Sequence, residues 1–212
     1  MRYFIALATA LVFGILAGSS VAQTVGFESL TTNGPGSGCT GISGGSVVEN
    51  GFTLGPGSLL ACDSTGGFGI STNDSTSLGL QSDLTISRSD AVPFFFDSFD
   101  ATGLFINTST NFSANANQII ATGSLVGGGT VQSTFTLDSI GDGVGNAPDF
   151  ETFLLPASFA NLQSVTLQGT GTNDNNFSID NLSVSTVPEP SMVTALFCCS
   201  IALAARRRRA IV

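Results

Sequence analysis

The sequence predicts an all-β fold, a single jelly-roll-like β-sandwich over residues 23–186. Three observations carry that expectation. No stretch holds a sustained 3.6-residue apolar stripe, short runs alternate apolar and polar residues instead, and Gly, Ser, Thr and Asn punctuate them. Many short strands with no helices between them belong to a sandwich rather than an α/β layer. The segment is long enough for one real core and too short for two domains.

In chain order the strand candidates are 25–30, 46–54, 78–87, 94–107, 118–124, 131–137, 164–169 and 177–184. Val131, Ser133, Phe135 and Leu137 share one parity, and Gly127, Gly128 and Gly129 separate them from the preceding run, which predicts a hairpin. Phe94, Phe95, Phe96 and Phe99 could offer an aromatic surface to sugar, but a strand alternates faces, so part of the run must enter the core. The stretch 153–159 reads as edge strand and turn. In the last candidate Phe177 and Ile179 share a parity while Leu182 and Val184 share the opposite one. An extra residue at Asp180-Asn181 is therefore expected, a bulge that would re-aim the carboxylate.

Both ends of the chain are processing or sorting segments. Residues 1–22 combine Arg2, an apolar run over 4–16 and the small-x-small triplet Ser20-Val21-Ala22, the pattern of a secretory signal peptide cut between Ala22 and Gln23. Residues 187–212 hold Val187-Pro188-Glu189-Pro190-Ser191, the uncharged run 192–205 and the block Arg206, Arg207, Arg208 and Arg209. Arginines resist crossing a bilayer and stay on the cytoplasmic side, so this order makes a terminal transmembrane stop and turns the domain outward. The apolar run is 14 residues, against the roughly 20 that span a bilayer core. Snorkelling arginines and local thinning absorb the difference.

The order Pro-Glu-Pro, apolar helix, arginine cluster resembles the PEP-CTERM sorting signal of bacterial surface proteins. The resemblance implies that an exosortase removes the anchor near Pro188-Glu189-Pro190, in a host that makes exopolysaccharide. An ordinary tail anchor that is never cut is the alternative. The route implied is Sec-type export, transient anchoring in the inner membrane, then the cell surface or the extracellular matrix.

Composition narrows the functions open to the exported domain. Of fifteen carboxylates only Glu189 lies outside 23–186, and of six basic residues only Arg88 lies inside it, so the domain is strongly acidic and lacks lysine. Nucleic acid and anionic lipid are repelled by such a surface. The chain has no His and no Trp, and its single Tyr, Tyr3, belongs to the signal peptide. That removes the usual general base, the usual transition-metal ligand and the best sugar-stacking rings together. Cys39 and Cys62 are the only cysteines of the domain, and an oxidising compartment favours their disulfide over two thiols that have no neighbouring His or Lys to activate them. Cys198 and Cys199, in the apolar tail, read as small hydrophobes.

Gly26-Phe27-Glu28 near the start of the domain and Ile179-Asp180-Asn181 near its end resemble the motifs that open and close jelly-roll carbohydrate-binding modules. The resemblance nominates Glu28 and Asp180 as ligands of a structural calcium ion where first and last strands meet, backbone carbonyls completing the shell. Calcium takes six to eight oxygens and needs neither nitrogen nor sulfur. A solvated Glu28 and an Asp180 accepting turn hydrogen bonds explain the same residues. A second acidic stretch, 138–149, places Asp138, Asp142 and Asp149 among glycines, but it fails the EF-hand spacing and reads equally as a flexible loop.

No catalytic constellation is present in the sequence. Hydroxyl nucleophiles are plentiful but lack a base, and no Gly-x-Ser-x-Gly elbow or phosphate loop occurs. The expectation is therefore a structural or adhesive surface protein associated with exopolysaccharide, and not an enzyme. Its rivals are a carbohydrate-binding module and a hydrolase acting on exopolysaccharide through two carboxylates.

Overall fold

Period-two alternation over much of the domain leaves the backbone no regular partner but a neighbouring strand, and the computed structural model accordingly builds one connected antiparallel sheet. It describes residues 22–32, 39–63, 75–104, 115–138, 149–171 and 175–186. The strands are β1 (Ala22–Val25), β2 (Cys39–Gly41), β3 (Val47–Glu49), β4 (Phe52–Leu54), β5 (Leu59–Asp63), β6 (Thr76–Leu80), β7 (Leu84–Arg88), β8 (Phe94–Gly103), β9 (Gln118–Leu125), β10 (Thr130–Thr136), β11 (Glu151–Leu154), β12 (Leu162–Thr170) and β13 (Phe177–Thr186). The described residues contain no helix, and none therefore is long and apolar enough to cross a membrane.

The sheet has two wings. One runs β2-β5-β6-β13-β8, with β11 on β8 and β1 on β13; the other runs β3-β4-β7-β12-β9-β10. Leu162 of β12 facing Phe94 of β8 joins them. The sheet curls so that the apolar faces of both wings share one core. Phe52 of β4 meets Phe94 of β8 edge-on at 5.3 Å, and Phe99 of β8 meets Phe135 of β10 at 5.3 Å. Phenylalanine supplies most of the large buried volume that tryptophan would otherwise fill: Phe27, Phe52, Phe94, Phe96, Phe99, Phe159 and Phe177 are all sealed from solvent.

Several sequence expectations need correction. The run 46–54 is two strands, not one. Asn50 and Gly51 carry φ of 48° and 80°, the pair of left-handed residues that a type I′ turn demands, and they fold β3 back on β4. The run 78–87 is likewise broken by Gln81, Ser82 and Asp83 into β6 and β7, which join different wings. The first strand is Ala22–Val25, upstream of the expected 25–30. The predicted hairpin is present, with Thr130 facing Ser124 and an unbroken register from there to Thr136 facing Gln118. Phe94, Phe96 and Phe99 enter the core and Phe95 lies half-buried, so the aromatic run is packing rather than a sugar platform.

The anticipated irregularity in β13 is real and has an unanticipated partner. Between Asp180 (facing Asp100) and Ser183 (facing Ser98), β13 advances three residues while β8 advances two. Asn181 takes φ 49° at that point. One step later Val184 faces Phe96, so β8 spends the extra residue and the register is restored. The second offset brings both Phe96 and Phe99 to the inner face despite their odd spacing.

Candidate functional site

Strand β13 lies inside its wing, and the change of neighbour along it creates the site. One edge is paired with β8; the other is shared by β6, opposite Phe177 to Ile179, and β1, opposite Leu182 to Ser185. Asp180 and Asn181 sit at the changeover. The end of β1, continuing into Gly26-Phe27-Glu28, and the start of β6 at Ser75-Thr76 arrive there from opposite directions.

Two adjacent residues at the start of β6 bond the two nominated carboxylates. The Ser75 hydroxyl donates to Asp180 Oδ2 at 2.6 Å, and the next residue, Thr76, donates its N–H to Glu28 Oε1 at 3.3 Å. Asp180 Oδ1 accepts from the Asn181 N–H at 2.7 Å. Asp180 is 1 % exposed, whereas Glu28 faces solvent. A third carboxylate, Asp100, lies across the ladder and ties three strands: its oxygens accept from Asn181 Nδ2 at 2.9 Å and from Thr152 Oγ1 of β11 at 2.7 Å. Ser75, Asp100 and Thr152 have no signal of their own in the sequence, since their roles depend on partners as far as 105 residues away.

The side-chain oxygens of Glu28, Ser75, Asp100, Thr152 and Asp180 are of the kind a hard cation takes. Glu28 and Asp180 would supply two carboxylates to such a shell, and about four to six positions would fall to backbone carbonyls and water. Among the described residues no group of three or more His, Cys, Asp or Glu side chains is arranged to hold a metal ion. Of the second acidic stretch, 139–148 lies outside the described residues; at its near end the Asp138 N–H donates to Glu151 Oε1 at 3.0 Å.

Charge elsewhere on the domain is simple. Arg88 donates from Nε to Asp90 Oδ1 at 2.8 Å, also contacts Asp90 Oδ2, and lies over the Phe52 ring at 5.6 Å. The hydrogen bond from Arg88, helped by the Val92 N–H, holds the Asp90 carboxyl well below the usual carboxylate range, and the same hydrogen bond raises Arg88.

The Cys39–Cys62 disulfide is formed, and the two cysteines face each other in register between β2 and β5. With Leu104 it makes a small second apolar cluster on the far side of the wing. Gly79 of β6 lets it settle there: a Cβ would lie 2.8 Å from both Cys62 Sγ and Leu104 Cδ1.

Where β13 begins, away from Thr186, Asn117, Gln118, Thr170 and Gly171 line a shallow open depression of about 250 Å³. Asn117 donates its N–H to the Thr170 carbonyl at 2.7 Å, and Gly171 donates to Asn175 Oδ1 at 3.1 Å. Its rim offers amides and a hydroxyl without charge.

The sorting motif Val187-Pro188-Glu189-Pro190-Ser191, the stop Arg206 to Arg209 and residues 1–21 lie outside the described residues, as do the Asn-x-Ser sequons at Asn73, Asn107 and Asn111. Ala22 is described as the first residue of β1 and Gln23 faces Val184. Of the remaining sequons, Asn176 is 5 % exposed and closed by the fold, whereas Asn181 is exposed with its amide bound to Asp100.

No family model matches the chain and no curated protein matches it. Among solved structures it is similar to a family 29 carbohydrate-binding module, at 12% identity and a TM-score of 0.37 over 80% of this chain and 90% of that one. A variant of such a module in complex with mannohexaose gives 11% identity and 0.35 over 80% and 94%. The K3 cleaved adhesin domain of Lys-gingipain from Porphyromonas gingivalis W83 gives 12% and 0.36 over 79% and 99%. Such values fall short of a family relationship.

Proposed function

We propose that this chain is an exported surface or extracellular-matrix protein whose curled β-domain is a jelly-roll-like sandwich with a structural or adhesive role beside exopolysaccharide. The observation that carries the reading is the order Pro188-Glu189-Pro190, uncharged run, Arg206 to Arg209, beginning immediately after the last strand ends at Thr186. The Cys39–Cys62 bridge supports it, because structural disulfides persist where the surroundings oxidise. Cleavage between Ala22 and Gln23 would remove a single exposed residue from β1 and leave the pairing of Gln23 with Val184. An exosortase then acts on the tail.

C-terminal peptide mass spectrometry of the protein recovered from its host tests this. The expected mature C-terminus lies within or next to 187–191; an intact Val212 in all of the protein would overturn processing. Replacing Pro188, Glu189 and Pro190 with alanine is expected to leave an uncut, membrane-retained form.

Glycan binding is the second reading, favoured by the depression at Asn117, Gln118 and Thr170, whose amides and hydroxyl match the hydrogen-bonding of uncharged sugar. A glycan array read with wild type and Gln118→Ala decides it: a glycan held equally by both would place recognition elsewhere. The hydrolase reading has less to stand on. Asp100 and Asp180 are the facing carboxylate pair in the described strand registers, and both are engaged in hydrogen bonds, Asp180 out of solvent. Glu28 and Asp180 are proposed as ligands of a structural calcium ion that would pin β1, β6 and β13 together.

A further inference from the structure

We infer that two copies of this chain associate edge to edge through β10, each extending the other's sheet. A sheet edge presents unpaired N–H and C=O groups, and proteins normally blunt it with shortness, charge, proline or a bulge. The other outer strands follow that rule: β2 and β3 have three residues, β1 and β11 four, and β3 and β11 carry Glu49 and Glu151. Strand β10 does not. It has seven residues, Thr-Val-Gln-Ser-Thr-Phe-Thr, with no charge, no proline and an unbroken register against β9, its one partner among the described residues.

The ladder shows which groups face outward. Leu125 donates to the Gly129 carbonyl and Leu137 to the Asn117 carbonyl, so by antiparallel alternation Val131, Ser133 and Phe135 exchange their backbone bonds with β9. Thr130, Gln132, Thr134 and Thr136 then turn N–H and C=O away from β9, to an edge with no further partner among the described residues, and their side chains are exposed. A two-fold axis through Ser133 would pair Thr130 with Thr136 and Gln132 with Thr134, all edge-facing residues, and set Val131 beside Phe135 on the inner face. Thr130–Thr136 is a Thr–Thr pair and Val131–Phe135 an aromatic–β-branched pair, both of the favourable kind. The arrangement is isologous and closes as a dimer.

Electrostatics selects this edge for a second copy. The domain's fourteen carboxylates face one arginine, so most approaches between copies are repulsive. Residues 101–137, which include all of β9 and β10, hold no charged side chain. The edge belongs to the domain, whether or not the tail is cut.

Sedimentation velocity on the chain recovered from its host, across its soluble concentration range, tests the proposal. Wild type is expected to move from monomer to dimer as concentration rises. Thr134→Pro removes an edge-facing N–H without touching the β9 ladder, and Thr134→Lys puts a charge there; both are expected to stay monomeric with cooperative melting retained. Hydrogen exchange supplies a readout that needs no variant: amides of 130–136 should gain protection with concentration. A wild type that remains monomeric throughout would overturn the proposal. So would a dimer that persists in Thr134→Lys, or one that forms with no added protection at 130–136.

Discussion

Truncating Asp180 separates its two possible roles, as a hydrogen-bond anchor and as a cation ligand. Its carboxylate accepts from Ser75 at 2.6 Å and from the Asn181 N–H at 2.7 Å while 1 % exposed. Asp180→Ala removes the acceptor of the Ser75 hydroxyl and of the Asn181 N–H at a part-buried position, so a loss of about 1–3 kcal/mol is expected without any metal. Asp180→Asn is milder. Its amide oxygen can keep the Asn181 N–H, and its NH₂ can donate to a rotated Ser75 hydroxyl, so the loss is about 1 kcal/mol, the difference between a charged and a neutral acceptor.

Calcium adds a second, independent arm. At 100-fold its dissociation constant a cation bound only by the folded state stabilises it by about 2.7 kcal/mol, which for a domain of this size moves Tm up by roughly 5–11 °C. Thermal melts followed by circular dichroism, with calcium and with chelator, read both arms. Wild type should rise with calcium, and neither variant should. An unmoved wild type would refute the calcium site alone; an Asp180→Ala protein within 1 kcal/mol of wild type under chelator would refute the burial argument itself.

Phe99 stacks on Phe96 and contacts Phe135 and Phe153, so Phe99→Ala is expected to cost about 3–5 kcal/mol in a urea titration. The half-buried Phe95 should cost clearly less, and equal losses would mean the inner face is misassigned. Replacing Cys39 and Cys62 together by serine opens a bridge spanning 23 residues, and the reduced or mutant protein should lose about 3 kcal/mol; melts unaffected by reductant would contradict this. In Gly169→Ala a Cβ would sit 2.2 Å from the Asn175 carbonyl oxygen and 2.8 Å from Phe177 Cδ1. Backbone cannot rotate away, so a loss of about 1–3 kcal/mol is expected, and a neutral outcome would show that 175–177 is free to shift. Asp90 has a depressed folded-state pKa, so its share of stability is present above the ordinary carboxylate range and disappears as pH falls through the folded value. A carboxyl NMR titration of Asp90 with an ordinary midpoint would remove that effect.

What could be read from sequence was local. The parity switch from Phe177 and Ile179 to Leu182 and Val184 shows in the letters because a bulge moves side chains to the other face within one strand. Its counterpart at Asp97 of β8 does not show, since only the partner's register reveals it. Asn50-Gly51 is a local signal too, but reading 46–54 as one strand passed over it. Strand β5, Leu-Leu-Ala-Cys-Asp, has no alternation to detect, because Leu59 joins the main core while Cys62, with Leu60 packed on it, lies in the second cluster. At the site, Glu28 and Asp180 were nominated by short motifs; Ser75, Asp100 and Thr152 are polar residues among dozens, singled out only once distant strands meet.

The placement of β13 has a mechanical consequence. The last strand is held on both sides, by β8 along one edge and by β6 and β1 along the other. Tension applied at Thr186, as by any tether attached beyond it, would enter the fold along the axis of this strand. The flanking ladders would then be loaded in shear, many hydrogen bonds resisting at once, rather than peeled open one pair after another as at an outer strand. A domain attached in this way would transmit drag from whatever its distal end grips before it yields.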